Sequence, residues 1–199
     1  ANELALRMAK AMTGEKDIIA LEIGYHGNTQ GCIDISSYKF DGKGGKGCPE
    51  NTHIVPLPDA FRGIYQGENT GEKYAKHVEE AILKIQSKNR NVAAFIAESI
   101  VSCGGQIDLP EGYLKDAYRY VREAGGVCIA DEVQVGFGRV GKAFWGFQLQ
   151  GVVPDIVTMG KPIGNGLAKF QKSSRARVAR GIRSGVQCVL NYRGSWVDR

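Results

Sequence analysis

No apolar stretch in this 199-residue chain approaches the roughly 20 residues that a membrane-spanning helix needs, so no membrane partner is expected. Cys-x-x-Cys pairs and the His-Glu-x-x-His pattern are both missing, and with them the familiar spacings of a bound metal. Five cysteines (Cys32, Cys48, Cys103, Cys128, Cys188) are odd in number and widely scattered, which argues against a secreted disulfide scaffold. An intracellular setting, cytoplasm or mitochondrial matrix, is expected. No signal-peptide pattern opens the sequence and no internal repeat runs through it. Gly42-Lys43-Gly44-Gly45-Lys46-Gly47 lacks the four-residue gap of a Walker phosphate loop and reads as a solvated surface turn.

Excess charge of one sign is also missing from most of the chain. The net charge is +5, yet residues 167–199 hold eight Lys/Arg against the single acid Asp198, leaving 18 bases and 20 acids in residues 1–166. Basicity confined to one tail, with no aromatic platform for bases, excludes a nucleic-acid binder as the reading of the whole. The tail shows no apolar periodicity. Residues 167–199 are therefore expected to be a divergent or frameshifted basic segment outside the packed domain.

What is present is α/β alternation. Ala5, Met8, Ala9 and Met12 recur at helical spacing over residues 2–12, Val78, Ala81, Ile82 and Ile85 form a second helix face, and Leu114, Ala117, Tyr118 and Val121 a third, closed by Gly125-Gly126. Short strands are expected at 18–23, 92–97, from Val127 and from Val153, while residues 36–73 read as a long Gly/Pro-rich loop. Such alternation predicts a mainly parallel sheet with flanking helices, and ligands of these sheets gather at the carboxyl ends of the strands. Two charged residues fall there. Asp131 closes the run Gly126-Val127-Cys128-Ile129-Ala130, and Lys161 closes Pro154-Asp155-Ile156-Val157-Thr158-Met159-Gly160. A carboxylate and a lysine so placed are the groups pyridoxal 5'-phosphate requires, an acid for its ring nitrogen and an amine for its aldehyde.

The stretch Ile129 to Gly166, with Tyr25-His26-Gly27 and Ala97-Glu98-Ser99, resembles the class III aminotransferases, which are fold-type I pyridoxal-phosphate enzymes. By these motifs the resemblance runs from Ala1 to about Gly166, the central, incomplete part of a cofactor-binding large domain. Ser102-Cys103-Gly104-Gly105-Gln106 and Gly136 to Lys142 look most like the branch of ethanolamine-phosphate and phosphohydroxylysine phospho-lyases. The resemblance implies an enzyme acting on a small primary amine, a transaminase or a phospho-lyase, and a homodimer in full-length form. The alternative is a truncated fragment without activity.

It also implies roles. Lys161 would hold the cofactor and move the substrate proton, and Asp131 would pair with the ring nitrogen. Val133 and Tyr25 would pack on opposite ring faces, and Gln134 would bond the phenolic oxygen. His26 is read either as an orienting neighbour or as a plain turn residue. Glu98 is read as a buried ion-pair partner or as facing the substrate, and Glu132 as structural. Cys103, where ornithine- and GABA-type relatives carry a glutamate, is read as a packing residue.

Overall fold

The structure is a computed structural model and describes residues 1–164 and 171–174. Helix α1 (Asn2–Thr13) buries Ala5, Leu6, Met8 and Ala9 and stops at Gly14, whose φ of 75° is left-handed geometry that glycine adopts without cost. Strand β1 (Asp17–Leu21) follows, buried at every position. Helix α2 (Gln30–Ile33) comes next, and the expected loop of residues 36–73 holds a further four-residue helix, α3 (Ser37–Phe40), and a strand, β2 (Thr52–Val55). Only two of β2's four residues are buried, so it carried little hydrophobic signal among its Gly and Pro neighbours.

Helix α4 (Thr70–Gln86) leads into β3 (Val92–Glu98), and a two-stranded ribbon, β4 (Ile100–Val101) with β5 (Ile107–Asp108), projects beyond it. Helix α5 (Tyr113–Glu123) then returns to β6 (Val127–Glu132) through Gly125, at φ 85°, whose N–H donates to the Arg122 carbonyl. A 3-10 turn (Gly146–Gln150) precedes β7 (Ile156–Met159), which starts three residues later than Val153. Lys161 opens a second 3-10 turn (Lys161–Gly164). Last comes β8 (Gln171–Ser174), which lies within the basic tail and pairs antiparallel with β7. The rest of residues 167–199, like Asn165 and Gly166, lies outside the described residues.

The sheet order is β2-β1-β3-β6-β7-β8, parallel at every pairing except β7 with β8. Alternation along each strand sorts side chains onto two cores. Ile18, Ala20, Ile96 and Ile129 face α1, whereas Ile19, Leu21, Phe95, Cys128 and Ala130 face α4 and α5. Continuous burial on both faces explains why β3 and β6 read as unbroken apolar runs. It also means that Asp131 and Glu132, adjacent in sequence, lead to opposite sides.

Candidate functional site

The register places three polar side chains side by side at the carboxyl end of the sheet. Glu98 pairs with Asp131 across β3 and β6, and Asp131 with Thr158 across β6 and β7. All three are at least nine-tenths buried. Beside them opens a cavity of about 470 Å³ whose wall includes Tyr25, His26, Glu98, Asp131, Val133, Gln134 and Lys161. The seven residues singled out from the sequence thus share one cavity, although 136 positions separate the first from the last.

Asp131 is the most constrained of them. Its Oδ2 meets His26 Nδ1 at 2.8 Å and accepts from Asn2 Nδ2 at 2.7 Å, while Oδ1 accepts the Val133 backbone N–H at 3.1 Å and lies 3.5 Å from Thr158 Oγ1. His26 is held in turn, since its backbone N–H donates to Ser36 Oγ at 2.9 Å. The His26 ring is buried against Asp131, and its Nε2 has no hydrogen-bond partner among the described residues. Tyr25 stands edge-on to Tyr38 at 5.8 Å, with the Lys39 ammonium 5.7 Å from its ring centre.

Ile23, two residues before Tyr25, has φ 60°. A β-branched side chain rarely takes that left-handed conformation, which costs about 1–3 kcal/mol and tends to persist where a site demands it. Here it turns the chain sharply after β1, with the Gly24 N–H returning to the Leu21 carbonyl, and delivers Tyr25 and His26 to the cavity.

Glu98 forms no ion pair with a Lys, Arg or His among the described residues. Its Oε2 accepts the Ser102 hydroxyl and, at 3.3 Å, the Ser102 N–H, and its Oε1 is buried without a partner among the described residues. Burial pushes its carboxyl above the usual glutamate range, Asp131 adds to the rise, and His26 opposes it. Glu98 also lines the cavity.

Glu132 points to the other face and is fully buried. It accepts Ser99 Oγ at 2.5 Å and the N–H groups of Gly146 and Phe147 at 2.8 and 2.9 Å. Burial raises its carboxyl as well, against the pull of those donors. This single side chain pins both ends of the loop carrying Val133 and Gln134, and a Cβ on Gly146 would fall 2.8 Å from Ser99 Cβ. Cys103 departs from expectation. It is exposed rather than packed, and partial desolvation of the sulfur, with the nearby Glu98 charge, pushes its thiol up, away from thiolate.

Two contributors escaped the sequence reading. Asn2 belongs to the apolar-face helix by spacing, yet its amide reaches across 129 positions to Asp131. Thr158 belongs to the run that ends at Lys161, and only its register beside Asp131 reveals its contact with that carboxylate.

The aminotransferase class-III family pattern matches residues 1–189, beyond the Gly166 limit set by the motifs. An alanine–glyoxylate aminotransferase 2-like protein of Drosophila melanogaster is 50% identical over 204 residues, covering 100% of this chain and 41% of its own length. Ethanolamine-phosphate phospho-lyase homolog 1 of Caenorhabditis elegans is 39% identical over 208 residues, covering 98% and 44%. Among solved structures, an Arthrobacter phospholyase in complex with phosphoethanolamine superposes with a TM-score of 0.81 at 34% identity over 90% of this chain and 42% of that one. The taurine:2-oxoglutarate aminotransferase of Bifidobacterium kashiwanohense, in complex with pyridoxal phosphate and glutamate, gives 0.80 at 28% identity over 95% and 43%. The chain therefore spans about two fifths of the length of these relatives. Matched over nearly all of its residues by one pattern, and similar throughout to both lyases and aminotransferases, it belongs to the class III aminotransferase family of pyridoxal-phosphate-dependent enzymes.

Proposed function

We propose that this chain supplies the cofactor-binding centre of a pyridoxal-phosphate enzyme that eliminates phosphate from a phosphorylated primary amine, with transamination as the competing outcome. One observation carries the cofactor reading: an amine (Lys161), a buried carboxylate (Asp131), an aromatic ring (Tyr25), an apolar side chain (Val133) and an amide (Gln134) line one cavity. That donor set fits the cofactor's aldehyde, ring nitrogen, two ring faces and phenolic oxygen. The volume, about 470 Å³, is of the size small cofactor sites have.

The bound cofactor would act as an electron sink for charge developing at the substrate carbon. The chain's own residues do the rest. Asp131 presents a carboxylate to the ring nitrogen, held by Asn2, His26 and the Val133 N–H so that it need not reorganise as charge moves. Lys161, at the head of its 3-10 turn, would hold the cofactor through its amine and serve as the base that removes the proton from the substrate carbon. Val133 and Tyr25 hold the ring plane and keep water off its faces.

The preference for phosphate loss draws support from Ser102 to Gln106 and Gly136 to Lys142, and from the phospho-lyase names among the relatives. We further infer a homodimer in the full-length protein, located in cytoplasm or mitochondrial matrix, a reading to which the relatives named as mitochondrial lend support. The test is a product assay. Phosphate released from phosphoethanolamine or phosphohydroxylysine should exceed glutamate formed from ornithine and 2-oxoglutarate. Efficient transamination without phosphate release would remove the lyase reading.

A further inference from the structure

Asn2 is only 6% exposed, yet it does not cap α1, because no side-chain cap bond forms at that end. Nor does the helix need it for packing, since the face toward the sheet is made by Ala5, Leu6, Met8 and Ala9. Its side chain instead spends both amide protons on distant partners. Nδ2 donates to the His26 carbonyl at 2.7 Å and to Asp131 Oδ2 at 2.7 Å. A reversed amide would set Asn2 Oδ1 against both acceptors, so the network itself fixes the orientation.

We propose that Asn2 is a positioning residue for Asp131, tying the first turn of α1 to the end of β6 and thereby determining which carboxylate oxygen is offered to the cavity. With the Asn2 and His26 donors both on Oδ2, that oxygen's two lone pairs are occupied. Oδ1 carries the Val133 N–H at 3.1 Å and the weaker approach of Thr158 Oγ1 at 3.5 Å, which leaves it capacity for one further donor. The same Asn2 amide holds the His26 backbone, so one side chain sets both the carboxylate and the turn bearing the imidazole against it.

The residue type is specific to this task. A planar amide with two N–H bonds can bridge a carbonyl and a carboxylate at once without bringing a charge of its own, as Lys or Arg would. Ser offers one donor, Leu offers none, and Asp would set a second carboxylate 2.7 Å from the first. The residues that line the cavity at this end, Ala1, Asn2 and Glu3, also place the start of α1 on its wall. The clamp therefore fixes the spacing between that wall and Asp131.

The proposal rests on the cofactor reading for what Asp131 faces, but the clamp itself does not, and the experiment separates the two. Four full chains are compared: wild type, Asn2→Ala, a second variant at Asp131, and the double variant. With pyridoxal phosphate as probe and Asp131→Asn as second variant, Asn2→Ala should weaken binding about tenfold in the wild-type background, the size of a lost charge-assisted hydrogen bond, and less than about twofold in the Asp131→Asn background. A merely structural Asn2 would cost the same in both, and that result would overturn the proposal. In the cofactor-free chains, with Asp131→Ala as second variant, the drop in urea midpoint caused by Asn2→Ala should at least halve. Additive midpoints there would also overturn it. If the wild type binds no pyridoxal phosphate, the cofactor reading fails, and the urea cycle alone decides the clamp.

Discussion

Truncating Glu132 to alanine should be among the most damaging single changes in the chain. The carboxylate is fully buried and receives three donors, Ser99 Oγ, Gly146 N–H and Phe147 N–H, at 2.5 to 2.9 Å. Alanine would leave two backbone N–H groups and one hydroxyl in a dry site. Each buried orphan costs about 1–3 kcal/mol, and water entering the vacated space can satisfy part of that. A net loss of about 3–5 kcal/mol is expected, a large share of the roughly 5–15 kcal/mol that holds a domain together. Glutamine is milder but not neutral, since its NH₂ must face at least one of the same donors. Urea unfolding followed by far-UV circular dichroism gives the number. Because the loop anchored by Glu132 carries Val133 and Gln134, Glu132→Gln should also weaken pyridoxal phosphate binding by more than its stability loss would suggest. A Glu132→Ala loss below about 1 kcal/mol would refute the claim that this carboxylate locks the loop.

Three other outcomes follow from particular atoms. Burial raises Glu98 in the folded state, so its stabilising contribution is complete below the ordinary glutamate range and is lost as pH climbs through the raised value. The urea midpoint of the wild type should therefore fall relative to Glu98→Gln as pH rises above the ordinary glutamate range. Parallel curves would contradict that. Ile23→Asn relieves a φ of 60° in a residue already 37% exposed, and should raise Tm by a few degrees; a lower Tm would mean that the apolar contacts of Ile23 outweigh its strain. Gly146→Ala drives a methyl to 2.8 Å from Ser99 Cβ and 2.9 Å from Val135 Cγ2 and should cost about 1–3 kcal/mol by urea melt, whereas no loss would show that the loop can yield.

The parts of the fold that were legible in the sequence are those with an unbroken apolar signal. β3 and β6 are buried at every position, and α1, α4 and α5 carry their apolar residues at helical spacing. β2 was not legible because two of its four residues are only partly buried, which leaves it little apolar signal among its Gly and Pro neighbours. Asp131 and Lys161 stood out through position, charged groups at the ends of apolar runs followed by glycine-rich turns, whereas Tyr25, His26, Val133 and Gln134 entered through the family resemblance alone. Asn2 could not stand out, because its partners lie 24 and 129 positions away and a helix-starting asparagine ordinarily suggests a cap. The three donors of Glu132 were hidden for a similar reason, since two are backbone N–H groups that no side-chain pattern reveals. Residue types locate a site of this kind, but only the register at the sheet edge says which neighbours hold it in place.

The most direct test of the central claim is chemical. The full chain is incubated with pyridoxal phosphate, reduced with borohydride, digested, and mapped by mass spectrometry. The account predicts a pyridoxyl group on Lys161, and no stable attachment once Lys161 is replaced by alanine. Attachment to another lysine, or equal labelling of the Lys161→Ala chain, would contradict it.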